Sequence, residues 1–396
     1  MVQKMRKMKD SGIEWIGEIP EGWETQKLKY YATVTSGEIL SKNEYDFSGD
    51  IPVIGSNGKI GTTYKSNNHS EVITTGRVGT IGTAQIVQDA WITDNALIIK
   101  SHSISRPFLT YVIPNFDFKF MLSGTAQPLI TATKLKNQYI PVPSSEAQDK
   151  LVQYLNTQIF NLSHLISQVC SSIELYKKLK QAIITQAVTK GVRGEREMKD
   201  SGVEWIGEIN HRFSLIKLKY ICSILDQYRK PISADKRSQS GSILYDYYGA
   251  SGAIDKIDDY TIDDHVMLIG EDGANLRMRN LPLMYEVNGK AWINNHAHIL
   301  KPTERVDFYY LFYALEGLDI NPYITGSAQP KLSQENLQNI WVPLPDFEEQ
   351  QEIATYIRSK CAEIDKLIAK KEQLVKELES YKKSLIYAVV TGKREG

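Results

Sequence analysis

The sequence predicts a mixed α/β (α+β) molecule. Two domains with mixed, mostly antiparallel sheets are separated by two long antiparallel coiled-coil helices in a cyclic, pseudo-twofold arrangement. Three observations lead there. Met8 to Ile19 reads MKDSGIEWIGEI and Met198 to Ile209 reads MKDSGVEWIGEI, so only Ile13/Val203 differs. Further matched segments follow each box at an offset that grows along the chain. Each unit then closes on a long heptad pattern. Two copies of one non-solenoid unit suit a target with two similar halves.

The growing offset separates frame from loops. Leu28-Lys29-Tyr30 returns as Leu218-Lys219-Tyr220, 190 positions on. Gly55-Ser56-Asn57-Gly58 returns as Gly249-Ala250-Ser251-Gly252 at 194, and Trp91 as Trp292 at 201. Gly124-Thr125-Ala126-Gln127-Pro128 returns as Gly326-Ser327-Ala328-Gln329-Pro330 at 202, as do Pro141-Val142-Pro143 and Gln148. Stepwise growth marks insertions in surface loops, which tolerate them and carry recognition.

Composition excludes several classes. With 396 residues there is room for two domains and a connecting system. Hydrophobic residues make up 42% and charged residues 24%, ordinary for a globular protein. No apolar run approaches a membrane span, and the N-terminal MVQKMRKMKD has no secretory core. The three cysteines, Cys170, Cys222 and Cys361, are isolated and odd in number, so no disulfide framework and a reducing cytoplasm are expected. Net charge is zero, so any cationic surface must be local.

Short β-rich stretches recur from Trp23 to Val142: Ile51 to Ile54, Glu71 to Thr74, Thr83 to Val87 and Leu97 to Ile99. The second unit repeats them as Ile243 to Tyr248, Val266 to Ile269, Leu281 to Glu286 and His298 to Leu300. Helices are expected over Arg106 to Phe120 and Val306 to Leu318. After Pro143, Ser144-Ser145-Glu146 caps a longer helix. Its expected seam is Leu155, Leu162, Val169, Tyr176 and Ile183 with Leu151, Gln158, Leu165, Ser172 and Leu179. The second seam is Ile357, Ile364, Lys371, Leu378 and Leu385 with Ile353, Lys360, Leu367, Leu374 and Tyr381. About 40 residues at ~1.5 Å each make ~60 Å, and so long a seam needs a partner, for which the other helix is the natural choice. The alternative is two amphipathic helices, each packed on its own domain. The expected divisions are a tether at 1–22, a domain at 23–146, a helix at 147–190, a linker with the second tether at 191–211, a domain at 212–346 and a helix at 347–396. The second helix ends where a third box would begin, so the repeat behaves as a cut circle whose ends are expected to lie close together.

These residues resemble one family. The GSAQP segment, the Val342-Pro343-Leu344-Pro345 turn before a Gln-bearing helix start, Tyr248 to Gly252, and Trp292-Ile293-Asn294-Asn295-His296-Ala297-His298 look like the specificity (S) subunit of type I restriction–modification systems. The resemblance covers essentially the whole chain, in both copies. It implies that each variable domain is a target recognition domain reading one half of a bipartite site in double-stranded DNA. It implies that the helix pair sets the spacer and docks two methyltransferase subunits, and that restriction subunits join them. It also implies no cofactor in this chain, with S-adenosylmethionine, ATP and magnesium in the partners, and adenine N6 as the methylated position. The first unit departs from the pattern with Trp91-Ile92-Thr93-Asp94-Asn95, and with Arg77 where the second has Glu271. Different half-sites would require such divergence.

Base edges are read by polar side chains on loops, and phosphates by cations. The repeat-matched loops nominate Ser56, Asn57, Lys59, Arg77, Thr80, Gln127 and Lys134 in the first unit. In the second they nominate Ser251, Asn275, Arg277, Arg279, Gln329 and Lys331. The Arg277/Arg279 pair is the strongest, because arginine pairs bidentately with guanine. For each residue the competing role is solvated loop charge. Ile13, Trp15, Ile16 and Ile19, with Val203, Trp205, Ile206 and Ile209, form an apolar tether at the domain–helix junction, and Trp15 and Trp205 are candidates for seating a partner subunit.

Catalytic motifs are weak. Asn321-Pro322-Tyr323 lacks the second proline of an amino-methyltransferase loop. Gly55 to Lys59 is too short for a phosphate loop, and Ile60 stands where Ser or Thr would hold magnesium. His296 and His298, two apart in an expected strand, share a face, but no further metal ligands gather around them. A self-contained DNA methyltransferase or nuclease fragment is the alternative function, and a protein-binding scaffold without DNA contact is a third.

Overall fold

The computed structural model describes residues 6–395 apart from 47, 123–128, 195–196 and 234–242. It divides into two compact units, Met1–Cys170 with Gln373–Gly396, and Ser171–Glu372.

In the first unit a four-stranded antiparallel sheet runs in the order Ala32–Ser36, Ala96–Ser101, Val72–Gly76, Ala84–Val87. A three-stranded sheet runs Gly58–Thr63, Ile51–Gly55, Trp91–Ile92, the last pair parallel. The second unit has the same connectivity fused into one six-stranded sheet: Cys222–Ile224, Ala297–Pro302, Ile262–Gly270, Met284–Ile293, Tyr245–Gly249, Gly252–Ile257. One local feature separates the two cases. In the second unit Met284–Ile293 is a single ten-residue strand. In the first its counterpart breaks between Val87 and Trp91, where Asp89 takes φ 47; the unbroken strand carries its own positive φ, 97°, on Gly289, which adopts it without a Cβ penalty.

The expected helix from Arg106 to Phe120 is shorter than its apolar pattern. It runs Arg106–Val112 behind a Ser105 cap. Pro114 then sits in a 3-10 turn, Ile113–Asn115, and Phe116 is extended, as proline's missing N–H predicts. Its counterpart is Phe308–Gly317, capped by Asp307.

Each domain opens and closes on one strand pair. Glu24–Lys27 pairs with Tyr139–Val142, and Ser214–Lys217 with Trp341–Leu344, both antiparallel. The long helices follow at once, Ser145–Lys190 and Phe347–Val390, of 46 and 44 residues. A buried glutamine in the first turn locks each helix to its domain. Gln148 Oε1 accepts from Ser105 N at 2.8 Å and its Nε2 donates to the Pro143 carbonyl at 2.9 Å. Gln350 does the same with Asp307 N at 2.8 Å and the Pro345 carbonyl at 3.0 Å.

Both helices take part in each unit, running antiparallel. In the first unit Lys382 Nζ donates to Ser163 Oγ at 2.9 Å. In the second, Lys180 Nζ lies 2.7 Å from Asp365 and Lys371 stacks over Tyr176. The expected seam is half right. The series through Leu155, Val169 and Tyr176 faces inward, as does Ile357, Ile364 and Leu385. The companion series faces inward only where the helices begin, at Leu151 and Ile353; farther along, Leu165, Leu179, Leu367, Leu374 and Tyr381 are exposed. Val169 is instead joined by Ile173, and Ile364 by Cys361, residues four positions along from an inward one. An a-and-e stripe suits helices held by domains at their ends rather than wound into a narrow a/d coil.

The helix ends belong to the domain cores. The first core unites Ile16, Ile19, Trp23 and Phe108 with Leu151 and Leu155 of the first long helix and Leu385, Val389 and Val390 of the second. The second core unites Ile209, Phe213 and Tyr310 with Ile184 and Val188, and with Ile353 and Ile357. Each tether is a short hairpin, Met8–Asp10 with Glu18–Pro20 and Met198–Asp200 with Glu208–Asn210. Lys393 Nζ donates to the Ile16 carbonyl at 2.8 Å. Asn210 Nδ2 donates to the Lys190 carbonyl at 3.0 Å. The end of the second helix thus returns to the first box, as the cut-circle pattern anticipates.

Candidate nucleic-acid interface

In each unit two loops and the stem of a third converge. The first is the hairpin tip, Ser56-Asn57 in one unit and Ala250-Ser251 in the other. Both tips follow a bulge, between Val53 and Ile54 and between Tyr247 and Tyr248. Both end on a glycine at positive φ, Gly58 at 111° and Gly252 at 96°. The second loop leaves the strand at Gly76 or Gly270. A Cβ on Gly76 would stand 2.5 Å from the Ser56 carbonyl, and one on Gly270 2.7 Å from that of Ala250. Glycine here lets the second loop touch the hairpin tip. The third loop's stem joins through the backbone. Ile130 N donates to the Arg77 carbonyl at 2.9 Å, and Leu332 N to that of Glu271 at 2.8 Å. The frame is one; the side chains on it differ.

Among the nominated residues of the first unit, Asn57, Lys59 and Thr80 are exposed and Ser56 is half-buried on the tip. Arg77 turns inward, its Nη1 donating to Ser36 Oγ at 3.2 Å and to the Asp94 carbonyl at 3.4 Å. Lys134 Nζ donates to the Leu122 carbonyl at 3.2 Å. Gln127 lies outside the described residues.

In the second unit Ser251 and Gln329 are exposed. Gln329 stands on a tight loop closed by Thr325 and Lys331, which exchange backbone bonds of 2.9 and 2.8 Å, with Gly326 at φ 77. Asn275 braces its own loop, donating to the Pro282 carbonyl at 3.1 Å and accepting from Leu281 N at 2.9 Å. Arg277 is exposed and spans to the third loop, donating to the Ile324 carbonyl at 3.1 Å. Arg279 is committed to the fold. At φ 49 it swings its guanidinium onto the last carbonyls of Phe308–Gly317, Glu316 at 3.0 Å and Leu318 at 2.7 Å. Burial pushes its pKa below the ordinary arginine value. The Arg-x-Arg pair therefore splits into one surface cation and one helix C-cap. Replacing Arg279 with Ala should cost roughly 2–3 kcal/mol, the range of hydrogen bonds from a charged donor, read by chemical denaturation. A loss below about 0.5 kcal/mol would contradict the capping role.

The charge at one matched position of the two frames is reversed. Glu271 occupies the Arg77 position and is ion-paired to Arg229 and, at 3.1 Å, to Lys331. Burial raises the Glu271 pKa, but the hydrogen bonds from Arg229 and Lys331 outweigh it and hold the carboxyl below its usual range. Arg229 also meets Asp226 at 3.1 Å, and buried His298 sits 2.6 Å from Asp226 and 2.9 Å from the Leu332 carbonyl. At the matched positions the first unit has Ser36, Leu97 and Leu129 for Asp226, His298 and Lys331. The network escapes sequence reasoning because Asp226 and Arg229 carry no motif; the Arg77/Glu271 reversal was the only visible sign. His296 is in a turn rather than a strand, 2.7 Å from Asp272, so it does not share the buried face of His298. Among the described residues no group of three or more His, Cys, Asp or Glu is placed to hold a metal ion.

The tether tryptophans differ. Trp15 is half-buried, edge-on to Phe116 at 5.4 Å, whereas Trp205 is more exposed and meets Tyr323 at 5.6 Å.

The comparisons with known proteins agree with this architecture. The family model for the type I restriction modification DNA specificity domain matches twice, over residues 20–175 and 211–378. A relative from Haemophilus influenzae, itself provisionally named a type I restriction enzyme specificity subunit, is 31% identical over 42% of this chain and only 40% of its own length. The type I restriction enzyme MjaVIII specificity subunit of Methanocaldococcus jannaschii is 25% identical over 76% of this chain and 71% of its own. A chain from a structure of complex assembly and conformational transition in a type I restriction–modification system shares the fold, with TM-score 0.70, 15% identity and coverage of 95% and 99%. With its specificity domain present twice, once in each unit, the chain belongs to the type I restriction–modification specificity subunit family.

Proposed function

We propose that the chain is the non-catalytic address of a restriction–modification assembly, each unit reading one half of a bipartite site in double-stranded DNA. One observation carries this. The same frame of hairpin tip, second loop and third-loop stem is built twice with matching backbone bonds, yet with different side chains and, at Arg77/Glu271, opposite charge. A frame kept while its surface diverges suits two different half-sites. The residues assigned to base edges and phosphates are Asn57, Lys59 and Thr80 in one unit and Ser251, Arg277 and Gln329 in the other. Arg77 and Lys331 tune the field beneath them.

Two methyltransferase subunits and the restriction subunits are the partners in this reading. S-adenosylmethionine, ATP and magnesium belong to them, and the site of action is cytoplasmic. The exposed leucines of the long helices, such as Leu165, Leu179, Leu367 and Leu374, supply apolar area for docking. Among the described residues no helix is long and apolar enough to cross a membrane.

The test is a genome-wide map of methylated sequences in a host carrying the chain and its methyltransferase. The expected result is one interrupted motif with two specified parts, absent when the chain is absent. S-adenosylmethionine binding and methylation by the chain alone would instead establish a self-contained enzyme.

A further inference from the structure

Each unit carries a second repeated surface, outside the three loops. Lys27-Leu28-Lys29-Tyr30 and Lys217-Leu218-Lys219-Tyr220 are identical, while the residues on either side, Gln26/Ile216 and Tyr31/Ile221, differ. Burial accounts for the leucines, which are wholly inside. It does not account for the others. Tyr30 and Tyr220 are each 62% exposed, in matching 3-10 turns. Lys29 and Lys219 stack over them, both at 5.1 Å. Lys27 lies 5.4 Å from the Tyr139 ring and Lys217 5.2 Å from that of Trp341, across the strand pair. The aromatic at the end of that pair is thus kept even where its type changes. Each patch presents two cations and two aromatic rings, with no carboxylate among these side chains.

We propose that these turns are backbone grips for DNA, one per unit, binding phosphates without regard to sequence. This rests on the DNA-reading function above and extends it to residues outside the recognition loops. Charge selects the occupant: two lysines held over aromatic rings in each unit, on a chain of zero net charge, match a polyanion. Repetition selects the kind of contact. Loops that read different bases must diverge, whereas the phosphate backbone is the same at both half-sites and calls for the same grip twice. Lysine supplies the charge. The tyrosine ring holds it in place by cation–π attraction and offers a hydroxyl to a second phosphate oxygen.

The test uses the chain with its methyltransferase, a duplex bearing the mapped motif, and a duplex without it. Binding is titrated from 0.05 to 0.3 M KCl. The double variant Lys29→Ala, Lys219→Ala should lose affinity for both duplexes by a similar factor, roughly 10- to 30-fold at 0.15 M. The slope of log affinity against log salt should fall by roughly 2. The methylated motif should not change, and Lys29→Arg with Lys219→Arg should restore the slope. An unchanged slope would overturn the proposal. So would loss of the methyltransferase from the purified complex at unchanged slope, which would mark a protein contact. If the unaltered complex prefers neither duplex, the address function fails instead, independently of the variants.

Discussion

Exchanging residues 24–142 for the matching domain of another family member should replace one half of the methylated sequence and leave the other half untouched. The graft is physically clean because entry and exit of the domain are hydrogen-bonded neighbours. Glu24 stands opposite Val142 in the strand pair, so the chain enters and leaves the new domain at one place, and the graft must keep the core positions that receive Ile16, Leu155 and Leu385. In each unit the second loop is also bonded to the third loop's stem within that unit, Arg77 to Ile130 in one and Glu271 to Leu332 in the other. Motif mapping reads the outcome. A change in both halves would refute domain-wise reading, and an unchanged motif would place recognition elsewhere.

The second large effect is expected at the buried glutamines. Gln350→Ala removes a side chain that answers two buried backbone groups, Asp307 N–H and the Pro345 carbonyl. Each abandoned group costs roughly 1–3 kcal/mol, so about 2–6 kcal/mol should be lost in all. Gln148→Ala should cost a similar amount through Ser105 N–H and the Pro143 carbonyl. Equilibrium denaturation of each variant measures this. Gln→Glu should rescue little, because a carboxylate oxygen facing the proline carbonyl has no proton to give. A change under 1 kcal/mol in both Ala variants would mean that water replaces the amide and that the clamp is not a lock.

Much of this was legible in the sequence for definite reasons. The box, the glycine hairpin tips and the glutamine turns are local chemistry repeated in matching order, and duplication doubles their signal. The long helices were legible because their periodicity runs for many turns. Which apolar row faces inward was not. Leu165 and Ile166 are adjacent and both apolar, and only the geometry of the held helix ends decides between Leu165 and its neighbours. Arg279 illustrates a second limit. Its loop position suggested a base contact, yet its partners are carbonyls at Glu316 and Leu318, nearly forty residues away. Arg277, two residues earlier, points outward. A two-residue motif cannot show that its halves have different destinations. The acid–base network around Glu271 is invisible for the same reason, since it assembles from four separate segments.

The closing of the circle has a consequence for how the molecule is made. Leu385, Val389 and Val390 complete the core that begins with Ile16 and Ile19. On the ribosome the first-encoded domain emerges with that wall of its core missing, and must wait for the entire second unit to be synthesised. Its apolar interior stays open longest, although it is translated first. The second unit needs no such wait, because Ile184 and Val188, which line its core, precede it. The order of translation and the order of completion are therefore reversed. A chain cut short before Leu385 would damage the domain farthest from the cut, leaving the N-terminal unit as the part most exposed to aggregation and proteolysis during synthesis.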